Sequence, residues 1–357
     1  MKKKKFTDSR FQLSDKDGNE ISFIPDIGDC QMMFLANNLS RMRDDTPLGT
    51  RIVEVHNGSS LFTGDAGSGA SNLRQYIIEN DLLEAIVAMP EKDFYNTGIG
   101  TFIWVITNRK EERRKGFVQL IDATEIKTPL RKNLGEKNCE TAEEDRKAIL
   151  KLLMDFEETP QSKIFPNNEF GYWSVKVCRP LRLKAQITNN GIALCIQDKK
   201  FKDMQDWLSR LFEESQGKVY LDFNRFITEA KAATKKHGFK WKKVNQDALQ
   251  RYFTEICPDA EIVVDDNGNP VPDKALEDSE IIPFRYDNGI EGFLQNEILP
   301  YTPDAWIDGE SIQTGYELSF TKYFYKPKQL RTIEEISGDI RAIEERTDGL
   351  LDEILGR

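Results

Sequence analysis

Between residues 51 and 122 the chain writes out strand, helix, strand and then two further strands in close succession, and few folds accommodate that order. Arg51-Ile52-Val53-Glu54-Val55 is rich in β-branched residues and follows the breakers Pro47 and Gly49, as a strand would. A loop of small residues runs from Asn57 to Gly69. Ser71 is placed to cap the next helix, whose Leu73, Tyr76 and Ile77 recur at spacings of three and four. Strands follow at Leu83 to Met89, Thr101 to Thr107 and Phe117 to Ile121, the last ending at Asp122. Strand, helix, strand at this spacing is a βαβ unit, normally a right-handed crossover within a parallel sheet. The closely spaced strands after it predict an antiparallel edge. One such unit with two edge strands is a poor stand-alone domain, because an open sheet needs covered faces and finished edges. The segment reads as half of a larger α/β sheet, and the start of the chain as a cut through a domain.

Residues 1–28 are polar and turn-rich, with Asp17-Gly18-Asn19 as a turn signal and Pro25 as a breaker. Residues 29–125 hold the sheet segment, entered by a helix through Met32, Phe34, Leu35, Leu39 and Met42 with Asp29 as its N-cap. Residues 126–330 read as mixed and mainly helical. They include a charged helix from Thr141 to Phe156 opened by the capping-box pattern Thr141-Ala142-Glu143-Glu144, and a short strand at Tyr172 to Val177. Residues 331–357 carry the clearest period. Ile333, Ile336, Ile340, Ile343, Thr347, Leu350 and Ile354 step alternately by three and four, a heptad seam with one polar member. A helix packed on its own domain usually carries a wider apolar stripe, so the pattern favours a helix that joins a partner's coiled coil.

Composition narrows the function. With 50 basic and 60 acidic side chains the formal charge is −10, which speaks against a free-standing nucleic-acid binder and makes any DNA contact dependent on a partner. No stretch approaches a membrane-spanning length, and the basic Met1-Lys2-Lys3-Lys4-Lys5 lacks the apolar run of a secretory signal. The five cysteines are scattered with no Cys-x-x-Cys pair, and His56 and His237 lie far apart. Neither a disulfide framework nor a metal site is expected, and the expected compartment is the cytoplasm.

Gly64-Asp65-Ala66-Gly67-Ser68-Gly69 sits between a strand and a helix but fits neither G-x-G-x-x-G nor the Walker pattern. A mobile active-site loop is the better reading. Phe94-Tyr95-Asn96-Thr97-Gly98-Ile99 follows a strand. Adjacent aromatics there are often core, yet ligands of open α/β sheets gather at the carboxyl ends of strands, where an aromatic face can stack on an extruded base. Lys110 to Lys115 mixes signs and reads as a solvated turn. The same holds for the lysines around Phe239 and Trp241. No nucleophile–base pair stands out.

The block from His56 to Gly69, with Arg74 to Ile86 and Phe94 to Ile99, resembles the modification (M) subunit of type I restriction–modification systems. Those subunits are adenine-N6 DNA methyltransferases that use S-adenosylmethionine. The similarity is dense over residues 29–123. It resumes at Glu169-Phe170-Gly171-Tyr172 with Arg179 to Leu183, at Pro303-Asp304-Ala305-Trp306-Ile307 and at Gly315 to Tyr325. The resemblance implies the C-terminal portion of a Rossmann-like methyltransferase sheet, with the strands at 51–55, 83–89 and 101–107 as its last three. It implies Phe94 as the aromatic stacked on the flipped adenine, with Tyr95 and Thr97 as neighbours in the target-base pocket and Asn57 and Gly58 in the active-site loop. The family's cofactor motif, Phe-x-Gly-x-Gly, and its catalytic motif, Asn-Pro-Pro-Phe/Tyr, do not occur in the 357 residues. The chain is therefore expected to be the C-terminal part of such a subunit, inactive alone, with S-adenosylmethionine bound outside it. The implied partners are the missing N-terminal methyltransferase half, the specificity (S) subunit, a second M subunit, the restriction (R) subunit and double-stranded DNA. The S subunit would meet the helix of Ile333, Ile336, Ile340, Ile343, Leu350 and Ile354. The alternative is a non-catalytic interaction protein derived from that family.

Overall fold

The computed structural model describes residues 8–14, 20–23, 30–325 and 331–347. At its centre lies a five-stranded sheet. The strands are β1 (Arg51–Asn57), β2 (Leu83–Ala88), β3 (Thr101–Thr107), β4 (Phe117–Asp122) and β5 (Ser162–Pro166), in the spatial order β1-β3-β2-β4-β5. β2 and β4 are parallel, whereas β3 runs antiparallel to both β1 and β2. The antiparallel strand expected at an edge therefore lies inside the sheet. The reason is legible in Thr101-Phe102-Ile103-Trp104-Val105-Ile106-Thr107: a run apolar on both faces suits an inner strand, whereas β1 alternates with charges and suits an edge.

One face is covered by α1 (Cys30–Leu39) and α2 (Gly69–Glu79), which bury Leu35, Leu73 and Ile77 against Trp104, Ile106 and Leu120. The other face is covered by α3 (Glu143–Asp155), whose Ile149, Leu152 and Leu153 pack on Val87, Ile121 and Ala123. That cover stops short of β1. Val53 and Val55 are 60% and 52% exposed, and among the described residues β1 has a strand neighbour on one side only.

The ends of α3 correct two expectations. Its N-cap is Ala142, and the carboxylate of Asp145 accepts the Ala142 amide at 3.0 Å, so the box lies one residue later than Thr141–Glu144. At the other end Arg113 donates to the carbonyls of Met154 at 2.6 Å and Asp155 at 3.0 Å, and Arg114 donates to that of Leu153. Arg114 is fully buried, 4.4 Å from the centre of the Phe156 ring, and Lys110 is buried with its ammonium 2.6 Å from Asp81. The turn is exposed at Glu111, Glu112, Arg113 and Lys115, and within it Arg113 and Arg114 also cap the orphan carbonyls of a helix end.

Beyond the first sheet, α4 (Asn189–Gln197), α5 (Gln205–Ser215), α6 (Phe223–Lys236) and α7 (Lys243–Tyr252) enclose a separate core around Leu208, Phe226 and Leu249. A three-stranded antiparallel sheet places β6 (Gly171–Cys178) between β7 (Asp278–Pro283) and β8 (Trp306–Tyr316). After β8 the chain returns to the first core. Tyr316 and Leu318 are buried there, Phe320 lies 5.2 Å from Phe102, and Tyr323 lies 4.2 Å from Phe165.

The last described element is α8 (Ile333–Thr347). Thr332 and Glu335 form a capping box: the Glu335 amide donates to Thr332 Oγ1 at 3.2 Å and the Thr332 amide to the Glu335 carboxylate at 2.9 Å. Ile333, Ile336, Ile340 and Ile343 are all exposed. Leu350 and Ile354 lie outside the described residues, as do the Asp17–Asn19 turn, Pro25 and the Asp29 cap. Among the described residues no helix is long and apolar enough to cross a membrane, and no group of three His, Cys, Asp or Glu residues could hold a metal ion.

Candidate functional site

β1 and β2 both run opposite to β3, so their carboxyl ends open on one rim. Asn57 stands opposite Thr101, Ala88 stands opposite Phe102, and the Met89 amide donates to the Thr101 carbonyl at 2.9 Å. The connection from Pro90 to Gly100 therefore leaves the rim at β2 and re-enters beside Asn57. This register brings Asn57, Gly58, Phe94, Tyr95 and Thr97 to the same end of the sheet. Phe94 and Tyr95 are 41% and 63% exposed, which removes the core reading for both rings, and Thr97 is half-buried. Asn96 turns the loop at φ 54°, in the left-handed region that asparagine tolerates.

Asn57 is committed to local structure. Its Oδ1 accepts from Gln31 Nε2 at 2.8 Å and from the Ser59 amide at 3.0 Å, and its own amide donates to Gln31 Oε1 at 3.0 Å. It fixes the exit of β1 against α1. At Gly58 a Cβ would lie 3.3 Å from the Phe102 ring, a tight contact to which the ring would have to yield slightly. The glycine-rich loop, expected to be a mobile active-site loop, is held to the end of β8 here. The Gly67 amide donates to the Thr314 carbonyl at 3.2 Å, and the Gln313 side chain lies over the position a Gly67 Cβ would take. Ser68 rather than Ser71 caps α2. The end of β8 thus takes up the Gly67 amide, which is not free for an anion.

The residues that sequence reasoning missed belong to a hairpin of strands Thr128–Leu134 and Lys137–Glu140. It follows the aromatic loop residue by residue. The Cys139 thiol donates to the Glu91 carbonyl at 3.3 Å, and the Asn138 amide donates to the Lys92 carbonyl at 3.2 Å. Asp93 accepts from Lys137 Nζ at 3.1 Å, from Thr141 Oγ1 at 2.6 Å and from the Thr141 amide at 3.2 Å. Lys137 Nζ also lies 5.8 Å from the centre of the Tyr95 ring. Burial, and then the Asp93 carboxylate, push the Cys139 thiol up, so it stays protonated. The available signal was Leu134-Gly135-Glu136-Lys137, a hairpin turn with Gly135 at φ 64°.

An exposed aromatic pair on a buttressed loop, at the carboxyl rim of a mixed α/β sheet, can offer planar faces to a planar ligand. Comparison with known proteins gives the chain relatives. Residues 5–177 match the model of the N-6 DNA Methylase family. More particularly, it is related to the methylase subunits of type I restriction enzymes. The MjaIX methylase subunit of Methanocaldococcus jannaschii is 27% identical over 207 residues, 56% of this chain and 35% of that protein. The MjaVIII methylase subunit of the same organism is 36% identical over 96 residues, 26% of this chain and 16% of that protein. The chain thus spans about a third or less of the length of these relatives. Among solved structures, the type I restriction–modification methyltransferase subunit of Streptococcus thermophilus overlaps 39% of this chain and 27% of its own, at 18% identity and a TM-score of 0.33.

Proposed function

We propose that the chain is the C-terminal part of the modification subunit of a type I restriction–modification system, and works in adenine-N6 methylation of double-stranded DNA. In this reading residues 1–28 continue a catalytic domain, and residues 29–125 carry four strands of the C-terminal half of its Rossmann-like sheet, whose fifth, Ser162–Pro166, lies beyond that boundary. Residues 126–330, expected to be mainly helical, form a mixed region of helices and strands, and residues 331–357 form the partner helix. The observation that carries it is an exposed aromatic pair at the rim of a sheet whose strand β1, among the described residues, has no neighbour on its outer side and leaves Val53 and Val55 exposed. A bare edge strand with an uncovered apolar face calls for more sheet and more helix. The missing methyltransferase half would supply both.

Phe94 would then stack on the adenine turned out of the duplex, with Tyr95 and Thr97 beside it. The cofactor S-adenosylmethionine does not fit this chain's own glycine-rich loop, whose Gly67 amide is engaged by Thr314. Its binding residues belong to the missing half. The S subunit would dock on α8, and a second M subunit and the R subunit would complete the assembly.

Calorimetry with S-adenosylmethionine tests the first part, using the chain alone and then with a polypeptide carrying Phe-x-Gly-x-Gly and Asn-Pro-Pro-Phe/Tyr. Heat is expected only from the pair, and binding by the chain alone overturns the assignment of the cofactor site. Phe94→Ala in the assembled enzyme tests the second part. Methylation by that variant at the wild-type rate and KM for DNA would remove the stacking role.

A further inference from the structure

The hairpin of residues 128–140 is built in a way that the sheet does not require. Its first strand is exposed or half-exposed along its whole length, and its second strand buries only Cys139. Among the described residues, the hairpin's hydrogen bonds beyond itself go to Glu91, Lys92 and Asp93 of the aromatic loop and to Asp145 of α3, which accepts from Thr128 Oγ1 at 2.8 Å. The turn continues the match, since a Cβ on Gly98 would lie 3.4 Å from Glu136 Oε2 and one on Gly135 would lie 3.5 Å from Asn96 Oδ1. An element with almost no core of its own, bonded along the length of one loop, stabilises the fold little and that loop a great deal.

The pair at its centre is Asp93 and Lys137, whose side chains are only 11% and 12% exposed. Lys137 Nζ reaches both the carboxylate and the main-chain carbonyl of Asp93. An ion pair this shielded, with a third donor from Thr141, holds its geometry far better than a surface pair. Asp93 is joined directly to Phe94, and Lys137 stands by the Tyr95 ring. We infer that Asp93 and Lys137 are positioning residues: through them the hairpin sets where Phe94 and Tyr95 stand at the rim, and so sets binding of the target base. The inference rests on the stacking role of Phe94, and its test separates the two.

Steady-state methylation by the assembled methyltransferase would be compared for wild type, Asp93→Ala, Lys137→Met, Lys137→Arg and Phe94→Ala, with Tm and the KM for S-adenosylmethionine alongside. Misplacement of a binding group by an ångström typically costs up to about a hundredfold, so Asp93→Ala and Lys137→Met are expected to raise the KM for DNA by about tenfold. They should do so as Phe94→Ala does, with the cofactor KM unmoved and the assembly still folded at the assay temperature, while Lys137→Arg keeps wild-type behaviour. A raised KM for DNA in Phe94→Ala but not in Asp93→Ala or Lys137→Met overturns the positioning role and leaves the stacking role standing. An unchanged Phe94→Ala overturns both. Loss of cofactor affinity and Tm in step with DNA affinity marks the pair as merely structural and also overturns the inference.

Discussion

Arg74 Nε donates to the carbonyl of Tyr316, 242 residues further along the chain, at 2.6 Å. The same guanidinium donates to the carbonyls of Ser60 and Thr63, each at 3.0 Å, and the residue is fully buried. Tyr316 answers through its amide, which donates to Ser71 Oγ at 3.0 Å, and through its phenol, which donates to Glu79 at 2.9 Å. Burial and the Glu79 carboxylate push that phenol up, so it remains a neutral donor. One arginine on α2 therefore ties the small-residue loop and the end of β8 into a single core, which is why that loop does not behave as an open phosphate cradle.

Arg74→Met is expected to destabilise the protein by about 2–3 kcal/mol, because two buried carbonyls and a third, part-buried one lose a charged donor and the apolar replacement supplies none. Arg74→Lys recovers only part of the loss, since an ammonium cannot reproduce the planar fork. Urea unfolding of both variants checks this. A loss below about 1 kcal/mol for the methionine variant would be the size of an ordinary surface change and would contradict the hub.

Leu318→Ala probes the same return of the chain from its apolar side. Leu318 is fully buried in the first core, and its amide donates to the Leu61 carbonyl at 3.0 Å. Removing its side chain leaves a cavity and is expected to cost about 2–5 kcal/mol. If the cost by thermal or urea unfolding is negligible, the segment after β8 is not part of that core.

How much of this was legible beforehand depends on what each residue answers to. The strands β1 to β4 were readable because β-branched and apolar runs between breakers follow local rules. Their spatial order was not, since placing β3 inside the sheet depends on which strand must be buried on both faces. Phe94 and Tyr95 were found as a motif, and the register of Asn57 opposite Thr101 brought Asn57 to their rim. Asp93 and Lys137 were missed because they are 44 residues apart and lie in polar stretches with no pattern of their own. Arg114 was misread for a related reason: a run of mixed charge looks solvated until a helix end 39 residues later supplies carbonyls for it. Periodicity reports faces of single elements; it does not report which polar side chain will find a distant carbonyl.

The helical region offers a pH test. Hydrogen bonds from Tyr220 at 2.7 Å and from Arg225 at 2.8 Å hold the Glu229 carboxyl down at about 2, while burial first, and then Glu229, push Tyr220 up to about 12. A depressed carboxyl stabilises the fold above its unfolded value of about 4.3, and that contribution is lost as the pH falls through about 2. Glu229 is well exposed, so the contribution is about 1 kcal/mol or less. Urea unfolding between about pH 5 and pH 2 should show wild type losing this increment and Glu229→Gln lacking it. Equal pH dependence in the two proteins would contradict the assignment.

The final prediction concerns α8, where Ile336 and Ile340 are 44% and 54% exposed. They touch too little of their own chain to stabilise it, so a double change to lysine is expected to move folded stability by no more than about 0.5 kcal/mol. In a coiled coil with the S subunit the same two positions would be buried. Each fully buried isoleucine contributes about 1.5–3 kcal/mol, and losing two corresponds to a weakening of at least about a hundredfold. Calorimetric titration of the chain with the S subunit measures this directly. Binding by the Ile336→Lys, Ile340→Lys protein at wild-type affinity would place the partner surface elsewhere. Loss of binding together with unfolding would show instead that the isoleucines serve their own domain, against the exposure they have here.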